Sequence, residues 1–578
     1  MFKQIRLLPD QYLGVSFTYH ADIVARLKRL EQRRWNPDAR RWEVHLSHLP
    51  QLLEILSMDE RNLPRDVRLA YEAGGWKHLS VRFSLGNDYS RIGGRGLPLE
   101  ALDLATSFPV PGAEFHPSYK NGEWDGRRHL LRRGPEISFP SGLLSCVRRV
   151  LREEGVDYEE EDGRQPPPRT LELAIGGPAL RNYQEEAVAA ACRGGRGILQ
   201  MATGAGKTLV AAHIIARLGC PAVFFVHTRD LMQQARDMFE KAFGCAVGRI
   251  GDGRVEPAAV TVAMLQTTAR AMGFTVPEEE VEEGLDEGAA VPAGKYAAVV
   301  EAVTAAPLAI FDECHHLPAE TFFRVAMALP SAYYRFGLSA TPYRADAMDL
   351  LVTAALGDKL YEVNSSALID RGFLVPPRIR FLAVPATGEL WGAQTYAEIY
   401  TRHVVENGPR NAMIAEQARR CAERGLTVLV LVQQIRHGEA LARLLPDAVL
   451  LTGRVDSELR RDVLDRLRAR QVEVVIATTL ADEGLDIPSL DVLILAGAGK
   501  SETRALQRVG RALRQVGEKR EALVLDFADP AKYLCEHSRR RLQIYRTEPR
   551  FALEFDETFA RIPDELRDQV KPGLFDAR

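Results

Sequence analysis

Cysteine is scarce and scattered. Seven occur in 578 residues, at Cys146, Cys192, Cys220, Cys245, Cys314, Cys421 and Cys535, and no two form a Cys-x-x-Cys pair. That spacing excludes a zinc knuckle, a disulfide framework and a four-cysteine iron–sulfur centre, and it suits a reducing cytoplasm. Long apolar runs are missing: none approaches the roughly 18 residues of a membrane span. Pro9 and Asp10 cut the opening run too short for a signal peptide. The expectation is a cytoplasmic chain with no membrane partner. Net charge is slight, −3 overall, but it is sorted. Residues 1–150 carry 23 Lys and Arg against 17 Asp and Glu, and acidic runs over 153–162 and 278–287 offset them. A basic N-terminal part permits nucleic-acid binding, and ordinary solvated faces would give the same balance.

What is present is an ordinary globular composition, 46% apolar and 26% charged, in a length that suggests about three to five domains. The chain is organised around Met201-Ala202-Thr203-Gly204-Ala205-Gly206-Lys207-Thr208. An apolar strand over 197–201 leads in, and a helix over 209–218 leads out and stops at Gly219. Glycines let backbone N–H groups turn inward on a polyphosphate, and the helix N-terminus adds positive potential. Lys207 reaches the outer phosphates and the Thr208 hydroxyl holds magnesium. Met201 stands where strict P-loop spacing wants glycine.

Downstream, apolar strands alternate with helical stretches from about residue 170, which predicts parallel sheets covered on both faces. Asp312-Glu313-Cys314-His315 ends one such strand, where a parallel sheet places its ligand. Asp312 is the candidate magnesium ligand and Glu313 the group that orients or deprotonates the attacking water. His315, Ser339 and Thr341 are candidates for relaying nucleotide state. Arg181 and Gln184, some 20 residues before the glycine loop, are candidates for adenine contact, because an amide both donates and accepts. Arg508, Arg511 and Arg514 recur every third residue on one helix face. Arg511 and Arg514 are the arginine-finger candidates, a device worth roughly 10³–10⁵ in rate. Gly484 and Asp486 are assigned to the nucleotide as well. Thr228, Arg229, Gln266, Thr267, Thr452, Arg454, Thr478 and Thr479 are candidate contacts to a nucleic-acid backbone.

In this order the motifs resemble those of superfamily two helicases, over roughly 175–545. Within them the chain is most similar to the XPB/UvsW branch. The strings Val247-Gly248-Arg249-Ile250-Gly251-Asp252-Gly253 and Ala367-Leu368-Ile369-Asp370-Arg371-Gly372-Phe373-Leu374 support this, as does Gln507 where RNA-handling relatives carry His. No Arg-Glu-Asp triplet occurs in the first motor domain, which leaves a strand-separating wedge unassigned, and an acidic insert over 274–294 departs from the pattern. The resemblance implies an α/β chain with two RecA-like parallel-sheet motor domains, ATP and Mg²⁺ in the cleft between them, and small α+β DNA-binding modules in front.

Those modules have their own signatures. Two tryptophans, Trp35 and Trp42, flank the turn Asn36-Pro37-Asp38 among Arg33, Arg34, Arg40 and Arg41. The stretch resembles the HARP-type module of annealing helicases; both tryptophans are equally readable as core. Phe108-Pro109-Val110-Pro111-Gly112, then Tyr119-Lys120-Asn121-Gly122-Glu123-Trp124-Asp125-Gly126-Arg127-Arg128, then Phe139-Pro140-Ser141-Gly142-Leu143-Leu144 resemble the N-terminal domain of UvsW-type recombination helicases. Lys120, Trp124, Arg127 and Arg128 are its candidate DNA contacts, since aromatics between cations suit stacking and phosphate binding. The acidic run over 153–162 and Pro166-Pro167-Pro168 read as a linker. The domain expectation is 1–58, 59–165, 166–366, 367–545 and a tail over 546–578. The expected activity is an ATP-dependent DNA helicase or translocase on branched or forked DNA, monomeric, with a nuclease or recombination protein as partner. The alternative is a duplex translocase or strand annealer without robust unwinding. An RNA helicase, and a DNA-binding scaffold with a relic motor, rank below both.

Overall fold

The computed structural model describes residues 3–30, 32–73, 81–94, 97–275, 291–341, 349–387, 395–453, 455, 457–478, 490–497, 499, 509–510, 512–514 and 519–555. Arg454, Thr479, Gly484, Asp486, Arg508, Arg511, most of the acidic insert and the chain after 555 lie outside them. The chain divides into two compact units, Met1–Gln165 and Pro166–Arg578.

The first unit opens with a four-stranded antiparallel sheet. Its strands are β1 (Lys3–Leu7), β2 (Tyr12–Phe17), β3 (Arg33–Asn36) and β4 (Arg41–His45), in the order β1-β2-β4-β3. Side chains alternate between faces with period two. Ile5, Leu13, Val15 and Val44 share one face and pack in a core with residues of the helices Ala21–Leu27, Leu49–Leu56 and Arg65–Glu72. That core runs on to Leu63 and Val67, beyond residue 58. Trp35 and Trp42 are a cross-strand pair with ring centroids 5.4 Å apart.

A second sheet follows, formed by β5 (Val81–Ser84), β6 (Tyr89–Gly93), β9 (Ile137–Pro140) and β10 (Tyr158–Glu161) in the order β10-β5-β6-β9, while β7 (Ser107–Pro109) and β8 (Arg127–His129) pair separately. Here the linker reading of 153–162 is corrected: its second half is the edge strand β10, parallel to β5. Its charge is met by cations, with Arg148 on Glu160 and Arg82 beside Glu159. A neutralised acidic run can therefore serve as a sheet edge.

The second unit holds two large sheets. Eight strands make the first: β11 (Arg196–Met201), β12 (Ala222–Val226), β13 (Gly248–Gly251), β14 (Arg254–Glu256), β15 (Val260–Met264), β16 (Leu308–Asp312), β17 (Tyr334–Ser339) and β18 (Lys359–Val363). The order is β14-β13-β15-β12-β16-β17-β11-β18, parallel except for the edge strand β14. Seven parallel strands make the other: β19 (Pro377–Ala383), β20 (Val428–Val432), β21 (Val449–Leu451), β22 (Val474–Thr478), β23 (Val492–Ile494), β24 (Ala522–Ala528) and β25 (Ala552–Phe555), in the order β21-β22-β20-β23-β24-β19-β25. The interior strands β12, β15, β16, β20 and β22 are buried at every residue, as a sheet covered on both faces requires. The chain past 546, read from sequence as a tail, supplies β25. Phe555 stacks on Phe381 of β19 at 6.0 Å, and Phe551 is buried nearby.

Candidate nucleotide site and strand-facing edge

Strand β11 ends at Met201, and the chain turns through Gly204 and Gly206 at φ 82° and 80° into the helix Lys207–Leu218. These are left-handed backbone angles that glycine adopts without a Cβ penalty. The loop is braced from behind. Gln184 Nε2 and the Tyr183 hydroxyl both donate to the Ala205 carbonyl, at 2.8 and 3.1 Å. Gln184 Oε1 accepts from the Arg181 backbone N–H at 3.0 Å, and Gln184 is 5% exposed. A Cβ on Gly206 would lie 2.5 Å from Gln184 Nε2. The Gln184 amide, expected at an adenine edge, thus makes both of these hydrogen bonds to backbone, and turning it to a base breaks them. Arg181 lays its guanidinium over the Phe373 ring at 4.7 Å, and Tyr183 packs on the same ring at 5.1 Å.

Opposite the loop, β16 delivers Asp312 and Glu313. Glu313 takes φ 45°, the left-handed region, at the point where the strand breaks. Such a conformation in a non-glycine residue persists only where its surroundings hold it. Glu313 Oε1 meets Lys207 Nζ at 2.9 Å, and Oε2 lies 3.3 Å from His315 Nδ1. His315 Nδ1 is also 3.1 Å from the Ser339 hydroxyl, which accepts from the Thr341 backbone N–H at 3.2 Å. Lys207, Glu313, His315, Ser339 and Thr341 are therefore one connected set. Burial pushes the Asp312 carboxyl up to about 6, with the Glu313 charge adding to it and Lys207 opposing. Burial pushes Glu313 up as well, but Lys207 and His315 outweigh it and hold that carboxyl well below the ordinary range.

Across from this set lies the segment that carries Arg514. A Cβ on Gly204 would sit 3.4 Å from Arg514 Cγ and Nε, and one on Gly510 would sit 2.6 Å from Thr203 Cβ. Val375 N–H donates to the Leu513 carbonyl at 2.8 Å, and Leu374 bridges Arg514. Two glycines, one on each side, let the second lobe's arginine segment touch the first lobe's loop.

The candidate strand contacts share one topological address, the C-terminal ends of parallel strands. Thr228 and Arg229 follow β12, Gln266 and Thr267 follow β15, Thr452 follows β21 and Thr478 ends β22. Most of their side chains are turned inward. Thr228 caps the helix Arg229–Phe243 through the Leu231 N–H, and Gln266 Nε2 donates to the His227 carbonyl at 2.7 Å. Thr228, Gln266, Thr267 and Thr478 are buried. Arg229 pairs with Asp252 at 3.2 Å. In the first unit Arg127 donates to the Ser107 hydroxyl and carbonyl at 2.9 and 2.8 Å, and Trp124 Nε1 donates to the Arg127 carbonyl. Lys120 is exposed. Tyr183, Phe373 and Gly510 were missed by sequence reasoning. Phe373 is some 190 residues from Tyr183 in sequence, and only folding brings the two rings together.

Two family descriptions match this unit: "Type III restriction enzyme, res subunit" over residues 178–344 and "Helicase conserved C-terminal domain" over 411–516. The chain carries the motor of a helicase, similar to those of the XPB and UvsW kinds. Among the curated relatives of this helicase is "DNA 3'-5' translocase XPB2" of Sulfurisphaera tokodaii, 26% identical over 436 residues, 68% of this chain and 91% of that one. Another is "ATP-dependent DNA helicase uvsW" of Enterobacteria phage T4, 24% identical over 492 residues, 76% of this chain and 92% of that one. A solved structure, "The crystal structure of T4 UvsW", aligns over 82% of the helicase and 99% of its own chain at 21% identity, with a TM-score of 0.38. Among the described residues of the helicase no helix is long and apolar enough to cross a membrane.

Proposed function

We propose that this helicase is an ATP-dependent DNA motor acting on forked or branched DNA in repair and recombination. One observation carries the reading. The Lys207–Glu313 pair, at 2.9 Å, sits at the edge of one parallel sheet, and the Arg514 segment of the other lobe packs on the same glycine loop. A triphosphate competes with Glu313 for Lys207. Once released, Glu313 is free to take the proton of an attacking water. Arg514, with Arg511, supplies positive charge to the phosphates from the second lobe.

The donor set suits a magnesium ion. A buried and a half-buried carboxyl face one lysine, and Asp312 is left holding its proton up to about pH 6. The site is short of one cation, and Thr208 and Asp312 offer the oxygen ligands magnesium prefers. Bound there, magnesium neutralises phosphate charge. Arg181, whose guanidinium lies over the Phe373 ring, is assigned to the base. The buried threonines leave backbone N–H groups at the strand ends as the main phosphate donors to a DNA strand. The relatives named as translocase and helicase support DNA as the polymer. Seven free cysteines suit a reducing cytoplasm, where the motor works as a monomer beside a nuclease or recombination protein.

The second reading, a duplex translocase or annealer without robust unwinding, is favoured by the absence of an Arg-Glu-Asp triplet from the first motor lobe and by the HARP-like stretch. Forked-duplex unwinding against annealing of complementary strands, each with ATP, separates the two. The motor itself is tested by Glu313→Gln. The variant should bind ATP with wild-type affinity and lose at least 10²-fold in DNA-stimulated turnover, the scale expected for an acid–base group. Undiminished hydrolysis in that variant would refute the assignment.

A further inference from the structure

The first sheet of the N-terminal unit has two unlike faces. Helices pack on its apolar face and leave Trp35 half-exposed at the β3 edge. The alternation of the strands puts Arg6, Tyr12, Gly14, Arg34, Arg41 and Glu43 on the other. The registers Arg6↔Gly14, Gly14↔Glu43 and Glu43↔Arg34 set four of these on a single rung across all four strands. Glu43 is 2% exposed and is the sole acid among the strand residues of this face. It accepts from Arg34 Nε at 2.6 Å, from Arg41 Nε and Nη2 at 3.1 and 3.0 Å, and from Asn36 Nδ2 at 3.0 Å.

The two guanidiniums so held lie along the sheet. Arg34 is 4.9 Å over the Tyr12 ring, yet its side chain is 68% exposed. Arg41 crosses Gly14, where an added Cβ would meet Arg41 Cδ at 3.2 Å. Arg6, at the far end of the rung, is exposed. Three arginines against one buried carboxylate, which holds two of them, leave the face net positive, with planar guanidinium and phenol surfaces on it.

We propose that this open face binds a DNA strand, with Arg6, Arg34 and Arg41 on the phosphates, the Tyr12–Arg34 stack under a base, and Glu43 as the positioning residue. The proposal rests on the DNA-motor reading of the other unit. Charge and stacking together favour a nucleic-acid strand over an acidic protein segment, which would use the charge alone. Trp35 and Trp42 fall on the opposite side of the sheet, where Trp42 packs against the core.

The test uses the full chain and a fluorescein-labelled oligothymidylate, with anisotropy read across a salt series. Arg6→Ala with Arg34→Ala should weaken binding about tenfold at moderate salt and flatten the log–log salt slope by roughly one and a half to two. Arg61→Ala with Arg65→Ala, the same charge change elsewhere in this module, should leave both unchanged. Glu43→Gln removes a negative charge and should still weaken binding, because it frees Arg34 and Arg41 from their brace. Basal ATP hydrolysis should be unaffected throughout. If the Arg34 variant fails to fold, Arg6→Ala alone should lower the slope by about one half to one. Wild-type affinity and slope in the arginine variants would overturn the proposal, as would tighter binding by Glu43→Gln. Loss of affinity for polyglutamate with DNA affinity intact would overturn it in favour of a protein-binding face. Failure of the motor reading is visible separately, as wild-type protein whose ATP turnover ignores DNA.

Discussion

Asp312 is a buried carboxyl whose charged form is disfavoured by burial and by the neighbouring Glu313 charge. Its carboxyl titrates at about 6 in the folded chain against an ordinary value of 3.8. Between those values the folded state binds more protons than the unfolded state, so stability falls as pH rises through that window and stays lower above it. Asp312→Asn removes the buried charge. Without nucleotide or magnesium, the variant should therefore be more stable than wild type at pH 8, by on the order of 1–3 kcal/mol, with the gap closing below about pH 4. Thermal melts at the two pH values check this, and a variant less stable at pH 8 would contradict the electrostatic reading. The same substitution should abolish hydrolysis, the usual trade of stability against function at an active site.

At the scale of elements, the motifs that were legible are those whose position on a sheet dictates their chemistry. A glycine loop between strand and helix, and adjacent carboxylates at a strand end, can be read from spacing alone. The features that were not legible depend on pairings distant in sequence. The run over 153–162 looks like a solvated linker until Arg82 and Arg148 neutralise it. The segment past 546 looks like a tail until Glu548 accepts from the Ser365 and Ser366 N–H groups, at 3.3 and 3.0 Å, and so caps the helix Ser365–Asp370. The packing of the helix Ile435–Leu444 on the helix Gly408–Ala422 hides a further example. His437 is fully buried with Nε2 3.0 Å from Asn411 Oδ1, and burial, with Arg410 adding to it, lowers its pKa to about 3. The unfolded chain binds its proton near 6.5, so this stability is present above 6.5 and is lost as pH falls toward 3, by about 1.4 kcal/mol per pH unit. His437→Gln, which keeps a donor toward Asn411, should flatten the dependence of the melting temperature on pH between 6 and 4. An unchanged slope would locate the acid lability elsewhere.

For the whole molecule, the join between units has the composition of a stiff spacer. Gln165-Pro166-Pro167-Pro168 carries no apolar side chain that needs covering beyond the prolines themselves, and a proline run holds an extended shape without a partner. Each unit has its own closed core: Ile5 to Val67 in one sheet of the first, and a continuous cluster through both lobes of the second, from Tyr183 to Phe551. A core that does not borrow residues from its neighbour folds alone. The fragment 166–578 should accordingly melt as a cooperative unit and keep basal ATP hydrolysis, because every residue assigned to the nucleotide lies within it. It should lose affinity for forked DNA by an order of magnitude or more, because the basic excess of residues 1–150 is gone and phosphate contacts dominate such binding. The loss should shrink as salt rises, since the missing part acts by counterion release. Anisotropy with a fork at two salt concentrations, beside an ATPase assay on the same sample, reads both halves of the prediction. Undiminished fork affinity would place the grip on the motor lobes alone, and a fragment that fails to fold would mean that the second unit is incomplete without the first.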